Sequence, residues 1–319
     1  MNIALISDDF TRTCLQLEPN VKITNVTPLN WRYRFMVKKP DVLIVESAWL
    51  GFKNSWKKKI ASYGNEQINK QLQTLLKYCR NNNVATVFWN KEDPVNYQRF
   101  KHNLAEFDVC LTTEQEMLGK YKKEFKNLKS VQLMPFFFQP KLHNLQVDTV
   151  IEGLNSKIIF CGGLYKAEFP DRAQRLNNAV RALGKNNVVV YDRFERGAAA
   201  WEIEDSESAF NDFEIRKPFA YQDSKTYYQS GMAHLNVNSL DGSTTMFSRR
   251  MLELIACGAH VLDVTAHKGK GLLSPFVTQV TTSQEVVTAL NCEPPKIEFD
   301  YLTQNYSVNS FVKKIENII

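Results

Sequence analysis

Short apolar segments of strand length alternate with helical segments along most of the chain. In the first half such segments begin at Ile3, Val42, Val84 and Val109, and helical periodicity marks Gln67–Asn81. Strands that alternate with helices form right-handed βαβ units, which place the strands parallel in one sheet. The pattern therefore predicts an α/β fold, in which ligands bind beyond the carboxyl ends of the strands.

The alternation stops near the middle of the chain and then begins again. Gln139–Asn155 has no clear period, and the strand-like segment Lys157–Cys161 follows it. A chain of 319 residues has the length of two ordinary domains. We predict domains at 1–145 and 146–304, with residues 305–319 as a C-terminal helix that packs back on the first domain. Two such halves would leave a cleft between their strand ends.

Composition is that of a globular protein, with 23% charged residues, a net charge of +6 and no apolar run of membrane-spanning length. The N-terminal apolar run is broken by Asp8 and Asp9, which predicts a first strand and a cytoplasmic protein without a signal peptide. The basic runs Lys57–Lys59 and Lys120–Lys129 are typical of solvated faces. They would also suit peripheral association with an anionic membrane surface, whereas so mild a charge makes nucleic acid an unlikely partner.

The six cysteines stand singly along the sequence and form no paired motif. That usage predicts reduced thiols and no zinc site. The five histidines also lack the spacing of metal ligands. An acidic, irregular segment is predicted for Gly197–Phe213.

The segment Thr244–Leu262 has the pattern of an anion site. A polar loop that contains Gly242 leads into a helix, which Gly258 closes. A helix N-terminus offers unpaired N–H groups and the positive end of the helix dipole, and diphosphate is a common ligand there. We expect Arg250 to pair with a diphosphate through its guanidinium, with Arg249 adding positive charge. An ordinary amphipathic helix with solvated arginines fits the same pattern.

Other residues of the second half extend this predicted donor site. Glu253 would accept hydrogen bonds from ribose hydroxyls, and Thr244 and Thr245 are expected phosphate contacts. Gly162 and Gly163 follow a strand, where glycine lets a phosphate or a sugar approach the backbone, although strand-to-helix turns use glycine anyway. The absence of GxxxxGKS and GxGxxG motifs argues against a P-loop kinase and a conventional dinucleotide dehydrogenase.

Acidic residues follow three successive strands of the first half. We predict Asp9, Glu46 and Asp93 as candidate catalytic carboxylates, one of which takes a proton from an acceptor hydroxyl. Asp8 and Glu92 are alternatives for the same role. Carboxylates at such positions also cap helices, which is the structural alternative for any one loop.

Aromatic and basic residues lie beside these carboxylates in the sequence. Trp49 and Trp89 would offer flat apolar faces to a sugar, and Lys91 would hold a neighbouring carboxylate ionised. With Glu92 they form the predicted acceptor-binding set. The tryptophans would equally fit a hydrophobic core.

These motifs together resemble those of the CgeB-like group 1 glycosyltransferases. The matching stretches of the second half are Gly162-Gly163 after a strand, Pro170-Asp171-Arg172 at a helix start, Leu235–Asn238, Ser248–Glu253 and Ala256–Gly258. Those of the first half are Glu46–Gly51 and Phe88–Pro94. The resemblance covers nearly the whole chain and implies a GT-B fold: two Rossmann-like, doubly wound domains that face each other across a cleft.

The resemblance also implies an activity. It implies transfer of a sugar from a nucleotide-diphosphate sugar to a hydroxyl of a glycan or glycopolymer acceptor, without a metal or a cofactor. Arg250 and Glu253 would contact the diphosphate and the ribose, and Arg172 and Asn238 join the expected donor contacts. Many retaining GT-B enzymes carry a second glutamate eight residues before the ribose-binding one, where this chain has Thr245, so the anomeric outcome stays open.

Two alternatives to this activity remain at the level of sequence. One is a non-catalytic glycan- or nucleotide-binding module on the same scaffold. The other is a DNA-base glycosyltransferase whose basic runs follow the phosphates, which predicts steeply salt-dependent binding to DNA.

Overall fold

Two compact units make up the chain in the computed structural model, which describes residues 1–64, 67–147, 149–184, 186–195, 197, 201 and 208–319. The first unit is Met1–Gln139 with Asn305–Ile319, and the second is Pro140–Gln304. Each contains one six-stranded sheet whose paired strands are all parallel. The prediction of an α/β fold with parallel sheets is confirmed.

The first unit has the sheet order β2-β1-β3-β4-β5-β6. Its strands are β1 (Asn2–Ile6), β2 (Lys22–Asn25), β3 (Val42–Glu46), β4 (Ala85–Asn90), β5 (Val109–Thr112) and β6 (Ser130–Leu133). Its helices are α1 (Asp9–Gln16), α2 (Trp31–Val37), α3 (Lys70–Asn81), α4 (Tyr97–Phe100), α5 (Met117–Glu124) and, from the C-terminus, α11 (Val308–Ile318). The order reverses between β1 and β3, so the loops after these two strands mark the switch point where ligands bind in such sheets.

The second unit has the sheet order β12-β11-β10-β7-β8-β9. Its strands are β7 (Ile158–Gly162), β8 (Val188–Asp192), β9 (Glu214–Arg216), β10 (Ala233–Val237), β11 (Val261–Val264) and β12 (Thr278–Val280). Its helices are α6 (Pro170–Val180), α7 (Ser224–Tyr228), α8 (Arg249–Ala256), α9 (Ser283–Leu290) and α10 (Phe299–Tyr306), the last of which ends in the first unit. This is the strand order of a Rossmann fold, with its switch point between β7 and β10.

Local sequence explains the strongest elements. All five residues of β3 are buried and the first four are apolar, because a parallel strand with helices on both faces is covered on both sides. In α3 the buried residues follow helical spacing, and the Asn69 side chain caps the helix by accepting from the N–H of Gln71. Helix α8 begins after Ser248, whose hydroxyl accepts from the N–H of Met251, and ends before Gly258 at a φ of +83°.

The C-terminal helix predicted for residues 305–319 is present as α11, and a separate helix, α10, precedes it. The Ser307 side chain accepts from the N–H of Ser310 and caps α11, which separates it from α10. Within the first unit, the ring of Phe311 on α11 lies 4.6 Å from that of Phe137 and 5.2 Å from that of Trp89. These aromatic contacts hold α11 on the unit to which it belongs.

The stretch between β1 and β3, where no strand-length apolar run or helical period stands out in the sequence, contains α1, β2 and α2. Tyr97–Glu106 is α-helical only in its first turn and continues as a 3₁₀ helix. Most of the acidic segment predicted at Gly197–Phe213 lies outside the described residues. None of the described helices is both long and apolar enough to cross a bilayer.

Candidate functional site

Arg250, the second residue of α8, lies against the end of β7 at the switch point of the second sheet. Its guanidinium carbon is 5.2 Å from the ring centroid of Phe160, and Nη2 donates to Oδ1 of Asn236 at 3.3 Å. Its Nε is buried and has no hydrogen-bond partner. No described carboxylate pairs with it, and burial lowers the pKa of Arg250 below its ordinary value. The site therefore holds a partly buried cation whose charge no described side chain neutralises.

Gly162, the last residue of β7, makes room for that guanidinium. A Cβ placed on Gly162 would lie 2.7 Å from Nη1 of Arg250, which is closer than side-chain carbons approach. A Cβ on the next residue, Gly163, would run into the ring of Phe194. Both predicted glycines thus lie directly against a side chain at the switch point, Gly162 against Arg250 and Gly163 against Phe194.

Arg172 ties the two strand ends together and does not point to a ligand. Its Nε donates to the carbonyl of Val237 at 3.1 Å, and Nη1 donates to the carbonyls of Gly163 and Leu164 at 2.9 Å each. Burial and the nearby charge of Arg250 lower the pKa of Arg172 to about 9. Its role in this structure is to join the loops after β7 and β10, which differs from the predicted donor contact.

Asn236 and Asn238 link α8 to the end of β10. The Asn236 side chain accepts from the Ser248 hydroxyl at 2.7 Å and donates to Oδ1 of Asp263 at 2.8 Å. Asn238 accepts from the N–H of Ser248 at 2.9 Å. The sequence prediction included Asn238 but not Asn236 or Asp263, which come from neighbouring strands. The start of α8 is therefore fixed by side chains of the sheet.

A pocket of about 160 Å³ opens beside this network, between the loops that follow β10 and β11. Asn238, Thr244 and Asp263 line it, together with Lys270 from the glycine-containing loop. Burial raises the pKa of Asp263 to about 6, although the hydrogen bond from Asn236 opposes that shift. Thr245 is itself buried, and its N–H donates to the Ser243 hydroxyl at 3.2 Å. The pocket is polar, and its lining includes the carboxyl group of Asp263 and the amine of Lys270.

Glu253 is fully buried on α8, and its oxygens already have partners. The Tyr221 hydroxyl donates to Oε1 at 2.6 Å and the Tyr228 hydroxyl to Oε2 at 3.5 Å. Arg249 approaches Oε1 at 3.5 Å through its Nε. In this structure the Tyr221 hydroxyl therefore occupies the oxygen of Glu253 that was predicted to bind ribose. Neither tyrosine could be connected with Glu253 from the sequence.

In the first unit, Glu46 and Asp8 organise the loops at the switch point. Oε1 of Glu46 accepts from the N–H of Asp8 at 2.6 Å and from Nζ of Lys91 at 3.0 Å, while Oε2 accepts from the Thr11 hydroxyl at 2.6 Å. Burial raises the pKa of Glu46, and the charge of Lys91 opposes that shift. The carboxylate of Asp8 accepts from three successive N–H groups that begin at Trp49. Asp8 is a loop-capping residue.

Asp9 differs from the other predicted carboxylates because it is exposed. Its side chain is 75% exposed and forms an ion pair of 2.6 Å with Arg12, one turn further along α1. The Glu92 side chain accepts from the Asn96 amide at 2.9 Å and is partly buried. Among the predicted catalytic residues, Asp9 alone is open to solvent.

Asp93 lies in the interior of the first unit. Its carboxylate accepts from the Thr112 hydroxyl at 2.6 Å, the Tyr121 hydroxyl at 2.7 Å and the Asn90 amide at 2.7 Å. Burial raises the pKa of Asp93 to about 7. Because Asp93 is fully buried, its carboxylate is not accessible to an acceptor sugar. Its hydrogen bonds instead join β4, β5 and α5.

The two predicted tryptophans have different environments. Trp89 is 1% exposed, its ring stacks on Phe137 at 5.5 Å, and its N–H donates to the carbonyl of Met134, so it has no face for a sugar. Trp49 is half-buried, with Phe100 against its edge at 5.2 Å. The alternative that a tryptophan belongs to the core is correct for Trp89.

Comparison with known proteins yields similarity at the level of structure. No protein-family model matches the chain, and no characterised protein sequence matches it. Sucrose-phosphate synthase from Thermosynechococcus elongatus is similar over 90% of this chain and 75% of its own, with 12% identity and a TM-score of 0.57. The lipopolysaccharide outer core galactosyltransferase WaaB is similar over 99% and 98%, with 11% identity and a TM-score of 0.54.

A third similar structure is a putative UDP-N-acetylglucosamine 2-epimerase from Listeria monocytogenes, over 98% of this chain and 94% of its own, with 10% identity and a TM-score of 0.52. At such identities the similarity concerns the fold. The two six-stranded parallel sheets and these neighbours agree on one architecture. The chain has the GT-B fold, with two Rossmann-like domains.

Proposed function

We propose that the chain is a glycosyltransferase that moves a sugar from a nucleoside-diphosphate sugar to a hydroxyl acceptor in glycan or glycopolymer synthesis. The observation that carries the proposal is the partly buried Arg250, with no described carboxylate partner, at the switch point of a Rossmann-type sheet. Removing a charge from water, even in part, is unfavourable unless it is paired. An anionic ligand at this point would supply the missing charge.

Diphosphate is the anion that fits this position. A guanidinium offers a planar set of donors that matches phosphate oxygens, and its unpartnered Nε adds a donor that no protein group uses. The N-terminus of α8 adds the positive end of its dipole. When the bond from the sugar to the diphosphate breaks, the leaving oxygen gains negative charge. Arg250 and the helix would stabilise that charge and so replace a metal ion in the reaction.

The pocket beside Asn238 is the proposed place of the donor sugar. Its volume of about 160 Å³ exceeds that of several waters, since one water fills roughly 30 Å³ of liquid. Asn238, Thr244 and Asp263 provide polar groups that suit sugar hydroxyls. A ribose hydroxyl would then donate to Oε1 of Glu253. It would replace the Tyr221 hydroxyl, which donates to that oxygen at 2.6 Å in this structure.

Asp9 is the proposed general base. A base must come within about 2.6–3.2 Å of the proton that it removes, and Glu46 and Asp93 are fully buried. The Asp9 carboxylate would take the proton of the acceptor hydroxyl as the acceptor oxygen bonds to the anomeric carbon. The bond from that carbon to the diphosphate breaks, and the nucleoside diphosphate leaves with the electron pair. Trp49, half-exposed near this loop, remains the proposed apolar contact for the acceptor.

Binding of nucleotides tests the first part of the proposal. Isothermal titration with UDP, GDP and CDP should give saturable binding by at least one of them. Arg250→Ala should weaken that binding roughly tenfold to a hundredfold, since a hydrogen bond to a charged group contributes about 1.5–3 kcal/mol. The matched control is Arg181→Ala at the end of α6, an exposed arginine, which should change nothing. Absence of binding by all three nucleotides in the wild-type protein refutes the proposal.

Turnover distinguishes an enzyme from a binding module on the same scaffold. The donor that binds is incubated with the protein, and free nucleoside diphosphate is measured with and without candidate sugar acceptors. Asp9→Asn should lower kcat at least a hundredfold and leave the Kd for the nucleotide unchanged, because removal of a general base acts on the proton transfer. If the wild-type protein binds the donor but neither hydrolyses nor transfers it, the chain is a binding module.

A further inference from the structure

Helix α2 carries the most exposed large apolar side chains that the structure describes. Leu29, just before the helix, is 93% exposed, Met36 is 80% exposed, and Val37 and Tyr33 are 68% and 66% exposed. These four residues lie within nine positions of one another, whereas isolated exposed apolar residues are ordinary. A cluster of this kind on the surface marks a site of interaction.

The arrangement on the helix is regular. Trp31 and Phe35 are 3% exposed and anchor α2 on the first unit, where both rings contact Tyr78 of α3. At about 100° per residue, Met36, Tyr33 and Val37 occupy the sector opposite these anchors. The exposed residues Arg32 and Arg34 fall on the two sides of that sector. We call the exposed residues of this segment the α2 surface; they are Leu29, Arg32, Tyr33, Arg34, Met36, Val37, Lys38 and Lys39.

The charge around this apolar sector has one sign. No Asp or Glu occurs between Glu18 and Asp41 in the sequence. Arg32, Arg34 and Lys38 are exposed, and no described carboxylate forms an ion pair with them. Helix α3, which packs against α2 through Tyr78, also contains basic residues and no acidic one. The α2 surface therefore consists of exposed apolar side chains that are surrounded by basic residues of α2 and α3.

We propose that the α2 surface docks the protein on an anionic lipid membrane. An interfacial helix lies in the plane of the membrane. Its apolar side is buried at the boundary between headgroups and acyl chains, and its cations lie at the level of the headgroups. Here the apolar sector faces away from the protein, and the flanking arginines stand at the level where anionic headgroups would lie. Tyr33 adds an aromatic ring of the kind enriched at that interface. This inference does not depend on the proposed catalytic activity.

A second copy of the chain is a poorer occupant for this surface. A symmetric dimer through α2 would bring two cationic sets together, and like charges at an interface oppose association. An acidic protein partner would match the charge, but the apolar residues form a protruding ridge on a helix and would need a complementary groove. A lipid surface adapts to the ridge without one. The basic runs singled out in the sequence, at Lys57–Lys59 and Lys120–Lys129, are separate from this surface.

Vesicle sedimentation with the full chain tests the proposal. The wild-type protein should bind vesicles made of equal parts of phosphatidylcholine and phosphatidylglycerol, and should not bind vesicles of phosphatidylcholine alone. The charge variant Arg32→Gln/Arg34→Gln/Lys38→Gln should bind on the order of a hundredfold more weakly, at roughly fivefold for each cation removed near the surface. The apolar variant Tyr33→Ser/Met36→Ser/Val37→Ser should bind at least tenfold more weakly.

Two control variants separate this surface from general effects. Lys122→Gln/Lys123→Gln/Lys126→Gln removes three exposed cations of the same unit, and Val147→Ser removes a side chain that is 66% exposed elsewhere. Both should retain wild-type binding to vesicles. Because the substituted α2 residues are exposed, circular dichroism should give an unchanged melting temperature for every variant.

Three outcomes would overturn the proposal. The first is no binding of the wild-type protein to the anionic vesicles. The second is equal weakening by the control lysine variant, which would mean attraction by overall charge. The third is a concentration-dependent dimer, measured by light scattering, that the apolar variant abolishes while vesicle binding stays unchanged. That last result would assign the α2 surface to a second copy of the chain.

Discussion

Replacement of Gly162 by alanine separates the proposed donor site from the stability of the fold. The φ of Gly162 lies outside the left-handed region, so its backbone accepts alanine. The new Cβ would nevertheless lie 2.7 Å from Nη1 of Arg250. That atom ends a long side chain, so the collision is relieved by movement of the guanidinium and not by movement of the sheet.

The size of the effect follows from this distance. Optimal separation of non-bonded heavy atoms is about 3.5–4.0 Å, so the guanidinium must retreat by roughly 0.8 Å or more. A retreat of that size takes a hydrogen bond of about 2.9 Å to about 3.7 Å, which is beyond hydrogen-bond distance. Loss of one charged hydrogen bond should weaken nucleotide binding about tenfold to a hundredfold. The folded protein should keep its stability or gain up to about 1 kcal/mol, because alanine restricts the unfolded chain.

Titration calorimetry and thermal unfolding of Gly162→Ala measure both quantities on one sample. A weaker Kd at an unchanged or higher Tm supports the assignment of Arg250 to the diphosphate. Gly119→Ala is the matched control, since a Cβ there has no atom within 4 Å and the residue lies outside the proposed donor pocket. In an Arg250→Ala background, Gly162→Ala should have no further effect on Kd. Unchanged nucleotide affinity in Gly162→Ala would refute the reasoning, and so would a further loss of affinity in the double variant.

Three further predictions concern buried charges. Arg250→Met should stabilise the protein without nucleotide by about 0.5–2 kcal/mol and so raise its Tm, because it removes a partly buried cation that has no described carboxylate partner; a lower Tm in thermal unfolding contradicts this. Asp93 keeps its proton up to about pH 7 when folded and up to about pH 3.8 when unfolded, so stability should fall by up to about 4 kcal/mol as pH rises through that interval. Asp93→Asn should remove this slope in urea unfolding at pH 5 and pH 8, and an identical slope would contradict it. Lys91→Met leaves Glu46 buried without its ion pair and should lower the free energy of unfolding by about 3 kcal/mol. Adding Glu46→Gln should restore part of that stability in urea unfolding, and no recovery in the double variant would contradict the prediction.

The sequence predicted best what depends on neighbours along the chain. Strand β3 is a continuous apolar run, and α3 repeats its buried residues at helical spacing, so both were predicted close to their observed bounds. Strand β2 and helix α2 were not predicted. Strand β2 is a polar strand at the sheet edge, and α2 buries only Trp31 and Phe35 while its other apolar residues face outwards. A helix whose apolar residues occupy two opposite sides has no amphipathic period that a sequence can display.

The contacts at the proposed donor site could be predicted only in part, because they join residues that are distant in the sequence. Arg250 and Gly162 each stood out locally, one at a helix start and one after a strand. Their contact depends on the pairing of β7 with β10, which the strand order creates from distant segments. The partners of Glu253 come from α7 and the turn before it, and those of Asp263 come from β10. No local pattern connects these residues.

The strand order also explains why glycine and arginine at this site form one unit. In a Rossmann-type sheet the first strand and the fourth are neighbours, so the end of β7 lies beside the helix that follows β10. An arginine at the start of that helix reaches across the end of β7 only if no side chain stands there. Gly162 meets that condition, and Arg172 holds the loops after the two strands together through three carbonyl bonds. The cation is thus placed by the fold before any ligand arrives, and its partial removal from water favours an anionic ligand over water at this point.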